Sequence, residues 1–123
     1  MDINSKQYAQ LTDNEIILFN AIEEITNHLK DDQDNPVSLS LYLWKMGIQD
    51  PLAKDKIIQS TFKLIIESDN PLELTEQDFS KEYSQISDLF LESKTSKNMI
   101  IYILTWIGLN VSPIAYAISK NIV

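Results

Sequence analysis

The sequence contains no cysteine. Disulfide staples, thiolate nucleophiles and Cys-ligated zinc are therefore excluded, which fits a reducing compartment. Arginine is also absent, all ten basic residues being lysine. The guanidinium is the group suited to bidentate contacts with phosphate and guanine. Its absence, beside 18 acidic residues and a net charge of −8, argues against a nucleic-acid partner. There are two glycines, Gly47 and Gly108, and so no glycine-rich loop to cradle a phosphate. Both read as helix stops. The one histidine, His28, stands near the predicted end of a helix, where it complements the dipole. Neither His-Glu-x-x-His nor Glu-x-x-His occurs, so no metal centre or cofactor is expected, and the chain reads as a non-enzyme. The opening MDINSKQYAQ has neither a basic nor an apolar signal region, so a cytoplasmic location is expected.

What is present is one long stretch without charge. Residues 98–119 read NMIIYILTWIGLNVSPIAYAIS, 22 positions between Lys97 and Lys120 that hold no Asp, Glu, Lys or His. A helix apolar on every side belongs in a core or in lipid. A membrane span needs about twenty continuous helical residues, whereas Gly108, Asn110 and Ser112-Pro113 interrupt this stretch after about ten. Two consecutive core helices are expected, over residues 97–107 and 113–120, with a tail anchor as the alternative.

The rest of the chain reads as helices separated by polar turns. Residues 1–11 form a polar lead-in. Thr12, Asp13, Asn14 and Glu15 make a capping box, in which Thr12 accepts the amide three residues on and Glu15 reaches back. A helix is predicted over residues 13–30, burying Ile16, Phe19, Ile22, Ile25 and Leu29. Asp31, Asp32 and Asp34 follow in a solvated loop. An EF-hand loop beginning at Asp32 requires Gly at its sixth position and Glu at its twelfth, where Val37 and Leu43 stand. Residues 37–46, VSLSLYLWKM, alternate like a strand. Asn35-Pro36 before them and Gly47 after them are helix punctuation, and no second strand exists for pairing, so a short helix is predicted. Asp50-Pro51 opens a third helix to about residue 67. Thr75 with Asp78 opens a fourth, whose stripe is Phe79, Tyr83, Ile86 and Phe90. A polar turn over residues 93–96 precedes the charge-free stretch.

These readings give an all-α chain of 123 residues, a single-domain bundle or orthogonal array of five to six short-to-medium helices. With enzyme motifs absent, the expected function is binding a protein partner of basic character. An inhibitor or immunity protein that covers the positive cleft of a nuclease toxin is the most concrete form. The candidate partner-binding residues are Asp31, Asp32, Asp34, Tyr42 and Trp44, an aromatic pair close in sequence to three carboxylates. The alternative is a structural or regulatory subunit that docks through its apolar C-terminal region.

Overall fold

The computed structural model describes residues 11–91 and 96–122. The predicted lead-in, except Leu11, and the predicted turn before Ser96 lie outside the described residues. Six α-helices occur among those described: α1 (Asp13–His28), α2 (Leu39–Lys45), α3 (Ala53–Glu67), α4 (Glu76–Tyr83), α5 (Ser96–Asn110) and α6 (Pro113–Asn121). Two 3-10 turns, Pro71–Glu73 and Asp88–Leu91, complete the chain, and no described residue is in a strand.

Helix ends follow local chemistry. Thr12 Oγ1 accepts from Glu15 N at 3.2 Å and Glu15 Oε1 accepts from Thr12 N at 3.0 Å. Thr75 and Asp78 repeat the device at 3.3 and 2.8 Å. The ambiguous segment over residues 37–46 is helical from Leu39, with Ser38 Oγ accepting from Leu41 N. Gly47 stops it: with φ at 107°, it lets Gly47 N donate to Trp44 O and Ile48 N to Leu43 O. That crossed pair is the Schellman closure, and only glycine reaches such a φ without strain. Asp50 organises the start of the third helix: its Oδ1 accepts from Leu52 N at 2.9 Å and its other oxygen pairs with Lys56. Regular helix begins at Ala53, after the predicted proline position.

The core forms around α5. Met99, Ile100, Ile103, Leu104 and Ile107 are each 0–1% exposed and form its fully buried face, Tyr102 and Thr105 are buried beside them, and Ile101 and Trp106 are half-buried. Against it pack α6 through Ala115 and Ile118, α4 through Phe79 and Tyr83, and the second 3-10 turn through Phe90. Leu39 and Leu43 of α2 and Ile57 of α3 complete the same cluster. One polar pair lies inside it, Tyr83 Oη and Thr61 Oγ1 at 2.5 Å, with Thr61 donating to Ile57 O at 2.7 Å. Both hydroxyls are thereby satisfied, as buried polar groups must be. No helix among the described residues is long and apolar enough to cross a membrane.

Three expectations need correcting. The fourth helix ends at Tyr83 rather than running through Phe90, because Ser84 to Ser87 form turns before the 3-10 segment. Its stripe still reaches the core, since Phe79, Tyr83 and Phe90 are fully buried. Gly108 is not a stop: α5 continues to Asn110, and Gly108 is where α6 comes closest. A Cβ at this position would lie 2.4 Å from both Cβ and N of Tyr116. The largest departure is α1. It was expected to bury Ile22, Ile25 and Leu29, which are instead 44%, 59% and 51% exposed, along with Ile17 at 64% and Leu18 at 62%. Its inward face is narrow and half polar: Thr26 is buried, and Ile16, Phe19 and Glu23 are half-buried. Phe19 meets Trp44 with ring centroids 5.3 Å apart, and Glu23 pairs with Lys45, so these contacts hold α1 to α2.

Candidate functional site

The loop after α1 is built by its own side chains. Lys30 takes a left-handed conformation, φ 59°, and closes the helix with Lys30 N donating to Asn27 O and Asp31 N to Thr26 O. Asn35 Nδ2 then caps the freed carbonyls of Leu29 and Lys30 at 3.0 and 3.2 Å. Asp32 Oδ1 accepts from the amides of Asp34 and Asn35 at 2.9 and 2.7 Å. Asp31 Oδ1 accepts from Val37 N at 2.8 Å and from Tyr102 Oη at 2.7 Å. The last bond ties the acidic loop to α5 across 71 positions of sequence. Trp106 adds a second tie, its indole N–H donating to Val37 O at 3.3 Å. Asp32 and Asp34 remain exposed.

The five candidates therefore split. Asp31, Asp32 and Tyr42 come together around a shallow concavity of about 240 Å³, shared with Gln33, Asn98 and Tyr102. Tyr42 lies inside the fold, 9% exposed, its ring stacked on Tyr102 at 3.8 Å and 8°. Trp44 points elsewhere, because residues two apart on a helix face nearly opposite ways. It is half-buried beside a groove of about 390 Å³ between α1 and α2, whose apolar lining includes Leu11, Leu18, Ile22 and Leu41. Among the described residues no three His, Asp or Glu side chains converge to hold a metal ion. The C-terminal region, the alternative docking surface, is largely core. What it leaves exposed is Leu109, Val111 and Tyr116 at the turn between α5 and α6.

Burial raises the phenol pKa of Tyr42 to about 12, with the Asp31 carboxylate adding to the effect. Burial, then the hydrogen bond to Asp31, pushes Tyr102 further up, and burial does the same to Tyr83. A tyrosine harder to ionise when folded contributes stability fully present below the unfolded pKa of about 10 and lost as pH rises through the folded value. Each such group is expected to cost about 1.4 kcal/mol per pH unit above pH 10. An alkaline titration should therefore show Tyr42, Tyr83 and Tyr102 ionising together with loss of helix by circular dichroism. Their titration near pH 10 with the helices intact would contradict the buried stack.

A second acidic segment was not singled out by the sequence reading. Between Lys63 and Lys81 lie Glu67, Asp69, Glu73, Glu76 and Asp78 and no basic residue. Glu67, Asp69, Glu73 and Asp78 are exposed. Beside them in the chain stand Ile66 and Leu72, 79% and 48% exposed, Ile66 being the most exposed large apolar residue among those described. The charge balance alone could have found this segment. Three carboxylates within four positions at residues 31–34 drew attention instead, although two of them are committed to internal hydrogen bonds. The chain has no significant match among protein-family models, curated proteins or solved structures.

Proposed function

We propose that this all-α chain is an acidic protein-binding module, an inhibitor or immunity-type protein that neutralises a basic protein partner such as a nuclease toxin. One observation carries the reading: the segment over residues 66–78, where two exposed aliphatic side chains stand in sequence among five carboxylates with no lysine between them. Aliphatic anchors gain from desolvation, and surrounding carboxylates draw a cationic surface in and orient it. The net charge of −8 acts in the same direction at longer range. Asp32 and Asp34 contribute to that field from their loop, and Trp44 borders an apolar groove that can receive a partner side chain. Asp31 and Tyr42 serve this reading by holding the loop against α5.

The test replaces Glu67, Asp69 and Glu73 by Lys. Asp78 is kept because it closes the cap on Thr75. Asp31 is kept because Tyr102 and Val37 would lose their acceptor. Charges at exposed ends carry little stability, so the triple variant should melt like the parent. Captured on the parent from native lysate at low salt, the partner should be basic and enzymatically inhibited in the complex. Its association with the variant should slow by about tenfold or more, and with the parent should slow as salt rises. A partner that binds parent and variant at equal, salt-independent rates would defeat the reading.

A further inference from the structure

The exposed face of α1 has a composition that the partner-binding reading uses only at one edge, where Leu18 and Ile22 line the groove beside Trp44. Leu18, Ile22, Ile25 and Leu29 are all between 44% and 62% exposed, at spacings of four, three and four. Such spacing places side chains in one seam along a helix, as in paired helices. Phe19, Glu23 and Thr26, which anchor the helix, lie about 100° round from this seam, and Leu18 and Ile22 edge the groove beside Trp44, so the seam flanks the contact with α2 and stays open to solvent. The seam is also the same in both directions: Leu-Ile-Ile-Leu, spaced four-three-four, is unchanged when the helix is reversed.

We infer that α1 pairs antiparallel with α1 of a second copy of this chain across a two-fold axis, Leu18 packing on the other copy's Leu29 and Ile22 on its Ile25. A two-fold interface requires that residue i meet residue j and j meet i, and the reversal symmetry of the seam supplies this with like-sized side chains throughout. A parallel pair would instead align the two helix dipoles unfavourably. In this register Glu15 and Asp13 of the first turn come level with residues 32 and 34 of the other copy, where Asp32 and Asp34 are exposed, and Lys30 comes level with residue 17. The acidic ends repel and the apolar seam holds the pair, so the dimer is expected to tighten as salt rises. Four half-exposed aliphatic side chains per copy, with the flanking positions, bury roughly 800–1,000 Å² in total, at the lower bound for a specific interface. The dimer therefore dissociates on dilution, and it involves none of residues 66–78.

Sedimentation velocity over a concentration series, with site-directed cross-linking, tests this on the full chain. The parent is expected to pass from monomer to dimer as concentration rises through the micromolar range. Ile25→Glu buries an unpaired carboxylate in the seam and should weaken the dimer by about a hundredfold or more while helix content is unchanged. The cysteine-free background permits a second readout that needs no destabilising change. Leu18→Cys mixed with Leu29→Cys should form the mixed disulfide readily. Leu18→Cys alone should not, since its own symmetry mate lies about 16 Å along the seam, beyond disulfide reach. A parent that stays monomeric, a dimer that survives Ile25→Glu, or self-cross-linking of Leu18→Cys would each overturn the inference. So would a different protein found covering the seam of a chain that never pairs with itself.

Discussion

Gly108→Ala is expected to destabilise the protein, although alanine is the better helix former by about 1 kcal/mol. Gly108 lies within α5, so an isolated helix would gain from the change. In the folded chain the added methyl would stand 2.4 Å from Tyr116 Cβ and N and 2.6 Å from its Cα. Those are backbone and backbone-proximal atoms of α6, so no side-chain rotation can relieve the overlap and the helix itself must move. Forcing one methylene into a packed core costs about 1–3 kcal/mol, occasionally more, which outweighs the propensity gain. Gly108→Val adds a branched side chain to the same clash and should abolish the cooperative thermal transition near the parent's midpoint. Thermal melts of the two variants decide the matter by sign. A rise in melting temperature for Gly108→Ala would mean that α6 does not rest on this position.

A chain ending at Ser96 is expected to lose its fold altogether. Of the nineteen buried apolar residues in the described core, nine belong to α5, α6 and Ile122. Eight of the nine are large, and at about 1.5–3 kcal/mol each their removal forfeits on the order of 12–24 kcal/mol. That matches or exceeds the roughly 5–15 kcal/mol by which a whole domain is stable. Phe79, Tyr83 and Phe90 would lose the surface they pack on, and Asp31 would lose Tyr102. The truncated chain should show no cooperative melt and little near-ultraviolet circular dichroism. A truncation that still melts as one transition would place the core in the first three quarters of the chain.

The two capping boxes, the Gly47 stop and the identity of the core helices were legible in the sequence because each is decided over a few residues. Thr12 with Glu15, Thr75 with Asp78, and Gly47 after Met46 all close hydrogen bonds within one turn, so the residue types suffice to name them. A stretch of 22 uncharged residues has nowhere to go but inside, and α5 and α6 are where it went. Even the alternating segment over residues 37–46 was decided locally, by the cap at Ser38 and the stop at Gly47.

What only the tertiary structure decided is which apolar surface is covered and by what. The period of α1 announces an apolar face, but burial needs a second surface to supply it. The α5 helix packs on α4, α6 and the second 3-10 turn, and α3 packs on α2 and α4, while the stripe of α1 that the sequence assigned to the core faces outward. Gly108 carries the same lesson at the scale of one atom. A glycine late in a helix reads as a stop, and its real constraint, the approach of Tyr116, comes from a different helix. The acidic loop shows it for charge: Asp31 and Asp34 look alike in a row of carboxylates. The first is spent on a phenol 71 positions away while the second faces solvent. A side chain's type and spacing are properties of its own segment, whereas its partner is a property of the packing, and at these positions the packing set the role.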